Sequence, residues 1–248
     1  MKTLIKKILR MMGLELRLYT PGESDMARIG RLLLHHEISL VLDVGANMGQ
    51  YGKYLREAGY SGRIVSFEPL SNAYAVLNKA GKKDPLWEIA PRAAVGNTDG
   101  EITINVANNS VSSSILPMLD SHRNAAPESA YIGSELVKLY KLDTIAPQFI
   151  NDTCKSIFLK MDVQGFELQV LEGASGILPR IKGLQMEISL VPLYEGEPTL
   201  TDMLEKLDQL NYELYAVTPG FTDMNSGRLL QLDCIFFREQ QSDNGRGQ

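Results

Sequence analysis

Apolar positions along this chain follow two rhythms. In the first eighteen residues Leu4, Ile5, Ile8, Leu9 and Met12 share one helical face, with lysines on the other. Such a helix either lies on a membrane surface or docks on the domain. Docking is the expectation, because amphipathic helices of soluble proteins mostly cover a core. A second helix is expected over residues 25–36, N-capped by Ser24, with Met26, Ile29, Leu32 and Leu33 facing inward. From residue 40 onward, short apolar runs of strand length (40–44, 64–67, 156–161, 183–190) alternate with helical segments (50–58, 71–80, 167–178, 201–210). Gly59, Gly81 and Pro179 stop three of those helices. This alternation predicts βαβ units around a parallel sheet, closed by strands at 212–217 and 230–238.

Two stretches disturb the rhythm. Residues 87–95 are strand-like but carry Pro91, which predicts a sheet edge or a break. Residues 101–106 alternate as an antiparallel strand would, and 108–133 then read as a polar loop long enough to be a lid or a binding loop. The domain reading is a helical N-terminal extension (1–37), one globular domain (38–239) and a polar, disordered tail (240–248).

Composition narrows the class. With 248 residues, 44% of them hydrophobic, the chain needs no disulfide or metal to hold a core. A net charge of −5 argues against a nucleic-acid binder. Cys154 and Cys234 stand far apart, and no CxxC, CxxH or HExxH spacing occurs, so a structural zinc site is not expected. Two isolated thiols suit a reducing, cytoplasmic setting. No apolar run reaches the ~18 residues that would span a bilayer. The N-terminus begins like a signal peptide, but Lys6, Lys7 and Arg10 interrupt its apolar core.

The chemistry-bearing residues sit at strand ends. In a doubly wound sheet, ligands bind where the first turn meets them, here Val44-Gly45-Ala46-Asn47-Met48-Gly49. Gly45 and Gly49 permit close approach. A dinucleotide turn would require glycine at 47 and 50, where Asn47 and Gln50 stand, so an NAD site lacks its fingerprint. Asp43 beside the turn would repel a pyrophosphate and suit a cationic ligand. Glu68, ending the second strand, is placed to accept both hydroxyls of a ribose. A nucleoside with a cationic amino-acid arm, such as S-adenosylmethionine, satisfies both. The plainer alternative is a tight turn with Asp43 capping the helix.

Asp162 and Glu187 form a second pair, each at or within an apolar strand. If those strands are neighbours, both carboxylates enter one crevice. Transfer to an alcohol wants a base or a cation that stabilises the alkoxide. Asp162 is then base or orienter, and the pair admits one Mg²⁺ ion. Alternatively Glu187 is structural and pairs with Lys160. His122, in the long loop, reads as solvated rather than as a base.

The segments VLDVGANMGQY, IVSFEP, AAVG followed by DGEITI, FLKMDVQGFELQVLEGA and QMEISL resemble the FkbM family of methyltransferases over about residues 38–238. The resemblance implies an α/β class I methyltransferase (Rossmann-like) fold, with a seven-stranded, mostly parallel sheet whose last strand is antiparallel. It implies S-adenosylmethionine as methyl donor and a hydroxyl of a sugar, glycoconjugate or natural product as acceptor. It maps Asp43, Gly45, Asn47, Gly49 and Glu68 onto the cofactor site, with Ala94 near the adenine. Gln164 is a departure, since many members carry Glu there. The partner expected is thus a small-molecule or glycan acceptor, not nucleic acid, and the N-terminal helix leaves room for weak membrane-surface contact. The rival readings are an NAD-dependent Rossmann oxidoreductase and a non-catalytic module that keeps the cofactor fold.

Overall fold

Amphipathic segments form helices and apolar runs form strands in the order the two rhythms indicate. The computed structural model describes residues 2–238. Helices α1 (Lys2–Met11) and α2 (Asp25–His35) precede β1 (Leu40–Val44), α3 (Gln50–Glu57), β2 (Arg63–Phe67), α4 (Ser71–Gly81) and β3 (Trp87–Ile89). Next come β4 (Ala94–Gly96), β5 (Gly100–Ala107), α5 (Asp120–Ala125), β6 (Tyr131–Lys141) and α6 (Leu142–Ile145). The remaining elements are β7 (Ile157–Met161), α7 (Glu167–Glu172), β8 (Ile181–Ser189), α8 (Leu200–Gln209), β9 (Glu213–Pro219) and β10 (Gln231–Phe237).

The main sheet has seven strands in the order β3-β2-β1-β7-β8-β10-β9. Strands β1, β2, β3, β7 and β8 pair in parallel, and β10 runs antiparallel to both β8 and β9. This is the α/β class I methyltransferase architecture, with the last strand reversed. The chain leaves β1 in one direction, to β2 and β3, and returns on β1's other side as β7 and β8. The β1/β7 junction is therefore the switch point, where a crevice opens beyond the strand ends. Every position of β1 and β7 is buried, as expected of central strands covered on both faces. Alternation along β1 sends Leu40, Leu42 and Val44 to one core layer and Val41 to the other. In that second layer Ile29 and Leu33 of α2 meet Leu55 of α3. Ser24 caps α2 as its sequence context indicates, accepting a bond from the Ala27 amide.

Three elements depart from expectation. Residues 87–95 do break at Pro91, and β4 leaves the main sheet for a second, three-stranded one ordered β4-β6-β5. That sheet packs Ala94, Ile104, Val137 and Leu139 against Leu70 and Ala73 of the α4 region. Strand β6 is absent from the expected elements because apolar residues occupy both its faces. Val137 and Leu139 are buried while Ile132 and Leu136 are exposed, so no period-two signal survives. Helix α7 stops at Glu172 instead of continuing to 178. A Cβ at Gly173 would lie 1.9 Å from the Gly96 carbonyl oxygen, so the chain there is pressed against β4.

The expected docking of Leu4, Ile5 and Ile8 concerns side chains outside the described ones. Of the same face, Leu9 is partly buried and Met12 is exposed, and Met11, Leu14, Leu16 and Leu18 are exposed as well. The tail expected to be disordered, 240–248, also lies outside the described residues. Among the described residues no helix is long and apolar enough to cross a membrane.

Candidate active site

A cavity of about 600 Å³ runs along the C-terminal ends of the central strands. Its volume falls within the ~300–1,000 Å³ usual for small-molecule sites. Strand β1 leads into it through Val44 and the turn Gly45–Asn47, β2 through Phe67 and Glu68, and β7 through Met161 and Asp162. Beyond them β8 contributes Gln185 and Glu187, and β10 contributes Asp233.

The turn is held by its own packing. Gly45 has φ +77°, and a Cβ there would sit 1.8 Å from the carbonyl oxygen of Asp162. Gly49 has φ +82° and would drive a Cβ into the Trp87 ring at 2.9 Å. Glycine is therefore required by neighbouring chain at both positions. Gly45 lines the cavity; Gly49 does not. Asn47, itself at φ +46°, donates its amide to Glu68 Oε2 at 2.7 Å, and its side chain reaches Ser110 Oγ at 3.3 Å. The Leu70 amide donates to Glu68 Oε1 at 2.8 Å. Glu68 is only 3% exposed. Burial pushes its pKa up to about 7, against the opposing pull of those two amides and of Lys160. Ala94 lies in the same wall with Ala93 and Val95.

Asp43 lies buried beneath the turn. It stands opposite Ser66 on β2 and Lys160 on β7, so the three side chains share one face of the sheet. Its Oδ2 accepts from the Ser66 hydroxyl at 2.8 Å, and its Oδ1 lies 3.2 Å from Lys160 Nζ. Trp87 Nε1 in turn donates to Ser66 Oγ at 2.9 Å. With 0% exposure and no place in the cavity wall, Asp43 is an internal counter-ion beneath the turn.

Asp162 and Glu187 do come together, because β7 and β8 are neighbours. Between them lies the amide of Gln164, whose Nε2 donates to Asp162 Oδ1 at 2.7 Å and to Glu187 Oε2 at 3.0 Å. Tyr194 donates to Gln164 Oε1 at 2.7 Å and so orients the amide. Burial, reinforced by Asp162, Asp233 and Glu167, pushes the Glu187 pKa well above the usual carboxylate range. Lys160 pairs with Asp43 and Asp162 (Nζ to Oδ2 3.4 Å) rather than with Glu187, which corrects the pairing considered from the sequence. Burial opposes the charge on Lys160, but Asp162 and Asp43 outweigh it and raise the pKa. Among the described residues no group of three or more His, Cys, Asp or Glu side chains is placed to hold a metal. An amide aimed at both carboxylates fills the position that a shared Mg²⁺ would take, so this donor set does not fit one.

Several cavity residues went unseen in the sequence, and Lys160, a lone lysine inside an apolar run, was considered only as a partner for Glu187. Tyr51 and Tyr54 of α3 and Arg28 of α2 carried no signal, since they look like ordinary helix positions. Tyr51 donates to Gln185 Oε1 at 2.7 Å, and its ring lies 5.3 Å from Lys160 Nζ. The long loop covers the Glu68 side: Ser110, Ser113 and Ser114 line the cavity, and Ser114 donates to the Gln164 carbonyl at 2.7 Å. His122 is neither solvated nor at the cavity. It is buried between Tyr194 and Phe221, with its pKa lowered by burial to about 4.

Residues 43–214 match the methyltransferase FkbM domain, from the first strand's end into β9. The chain belongs to the FkbM methyltransferase family. Its cofactor is accordingly S-adenosylmethionine, and the cavity fits that molecule: a buried carboxylate ends β2 and an alanine-lined wall stands beside it. No curated protein sequence matches the chain. Among solved structures, TehB from Haemophilus influenzae is similar at 14% identity and a TM-score of 0.47, over 87% of this chain and 62% of that one. An rRNA methylase from Streptococcus thermophilus matches at 14% identity and a TM-score of 0.44, over 86% and 95% of the two chains. Magnesium protoporphyrin IX methyltransferase from Synechocystis, with bound SAM, matches at 10% identity and 0.46, over 86% and 78%.

Proposed function

We propose that this FkbM-family chain methylates a hydroxyl oxygen of a small-molecule or glycan acceptor, such as a sugar, glycoconjugate or natural product. The observation that carries the reading is the carboxylate pair Asp162–Glu187, tied by Gln164 and opening into the same cavity as Glu68. When bound, S-adenosylmethionine supplies an electrophilic methyl group. Glu68 would accept hydrogen bonds from its ribose hydroxyls, and the Gly45–Asn47 turn and Ala94 would help to hold it. Asp162, with its side chain one-third exposed, orients the acceptor hydroxyl. Glu187, whose pKa is raised chiefly by burial, takes the proton in its ionised form. Lys160 and the Gln164 amide hold both carboxylates in place. The acceptor is small enough to enter a cavity lined by Asp25, Asp162, Glu187 and Asp233, a lining that disfavours nucleic acid. A cytoplasmic setting goes with this reading, since Cys154 and Cys234 are free thiols.

The test is transfer of labelled methyl from S-adenosylmethionine to a panel of glycosyl and polyol acceptors, for the parent and for Asp162→Asn. The variant keeps the side-chain shape and removes the charge, so turnover falls by roughly 10²–10⁴ while cofactor affinity changes far less. Equal turnover in the two proteins removes Asp162 from catalysis. Cofactor binding without transfer to any acceptor favours the non-catalytic module.

A further inference from the structure

Charge and exposed apolar surface are concentrated together at the N-terminus. Residues 1–20 hold five basic residues (Lys2, Lys6, Lys7, Arg10 and Arg17) against one acid, Glu15, a net +4. The whole chain is −5, so the remaining residues carry −9. Lys6, Lys7 and Arg10 are exposed on α1. The segment after them exposes Met11 by 82%, Leu18 by 71% and Tyr19 by 64%, with Met12, Leu14 and Leu16 more than half exposed. An apolar run this open, flanked by cations, is costly in water and matches the interface of an anionic bilayer. There the apolar side chains enter the headgroup boundary and the cations meet lipid phosphates.

The segment also adjoins the cavity. Arg17, Leu18 and Tyr19 line a small cleft with Asp25 and Tyr54, and these last two also line the large cavity.

We propose that residues 6–19 bind an anionic lipid surface and hold the α2–α3 mouth of the cavity against it. The binding itself is independent of the methyltransferase reading. Only the consequence, that acceptors held at the membrane reach the cavity directly, rests on that reading.

The test is co-sedimentation of the full chain with vesicles of phosphatidylcholine alone and of phosphatidylcholine containing about one quarter phosphatidylglycerol. The expected result is at least ~10-fold stronger partition to the anionic vesicles, weakened by salt. Lys6→Glu/Lys7→Glu/Arg10→Glu loses that preference. Leu14→Asp/Leu16→Asp loses binding although every cation remains, because charge alone does not anchor the segment. Circular dichroism melting shows that both variants keep the parental fold, so lost binding cannot be laid to unfolding. Equal partition to both vesicles, or parental binding by the charge-reversed variant, overturns the proposal. So does a chain that ignores vesicles but sediments as a dimer made monomeric by Leu14→Asp/Leu16→Asp, since a second copy then covers the face.

Discussion

At the scale of single residues, Glu68 ties ligand binding to pH. Its carboxylate is buried, and its pKa in the folded protein is about 7 against an ordinary 4.5. A raised carboxyl pKa means the folded state holds a proton that the unfolded state has released. Glu68 thus contributes stability that is fully present below pH 4.5 and lost as pH rises through about 7. The slope is about 1.4 kcal/mol per pH unit over that window. In Glu68→Gln this component of the slope is absent, and denaturant midpoints across the window check it. The same substitution removes a charged acceptor from the ribose position. Calorimetric titration should show S-adenosylmethionine binding weakened by roughly 10–100-fold, the value of a hydrogen bond to a charged group; parental affinity in a folded variant would take Glu68 out of the site. Glu68, Asp162 and Glu187 were legible in the sequence because each ends or interrupts an apolar run, and a polar group in such a place needs a reason. Asp43 satisfies the same criterion but has different surroundings. What separates it from Glu68 is the side chains opposite it on β2 and β7, Ser66 and Lys160. Cross-strand neighbours are invisible until register is known.

At the scale of elements, β1, its turn and α3 were read correctly from the sequence, although the need for glycine was attributed to the ligand. The structure attributes it to the Asp162 carbonyl and to Trp87. Gly45→Ala must relieve both a positive φ and a backbone clash, so it should cost roughly 2–5 kcal/mol. Gly59→Ala has φ +91° with nothing within 4 Å of the new Cβ. It meets only the backbone strain, about 1–2 kcal/mol. Urea midpoints of the two variants should differ in that order, and equal losses would mean that Asp162 can yield. The second sheet was mostly illegible. Strand β5 showed its alternation, but β6 lies apolar on both faces, and β4 is three residues long. Short or two-faced strands take their identity from partners distant in sequence, and local pattern cannot supply those. The cavity wall contributed by α2 and α3 was hidden for the same reason.

At the scale of the whole molecule, buried titratable groups set the pH response. Glu167 is raised to about 8 and Glu68 to about 7, and Glu187 is raised as well, each chiefly by burial. All three lose stabilising power as pH rises through their folded pKa values. His36 and His122 are lowered by burial from 6.5 to about 4, so their contribution is present above pH 6.5 and lost as pH falls toward 4. Stability should therefore climb steeply as pH falls from 8 to 6.5, and the slope should flatten below 6.5, where the histidines oppose the carboxyls. Chemical denaturation at pH 8, 6.5 and 5 tests this, and greater stability at pH 8 than at 6.5 would contradict it. The parallel sheet was readable at this scale from strand–helix alternation, and its seven strands with the last reversed from the family resemblance of the motifs. The exposed N-terminal segment was not, because an amphipathic pattern does not say whether a core or a membrane covers its apolar face. The central claim is that the cavity at the β1/β7 switch point takes S-adenosylmethionine, and the most direct measurement is thermal melting of the full chain with that ligand and with NAD(H). At ~100 times its Kd a ligand stabilises by about 2.7 kcal/mol, which for a domain this size raises Tm by roughly 5–10 °C. The account predicts that rise with S-adenosylmethionine and no shift with NAD(H); a rise with NAD(H) alone would contradict it.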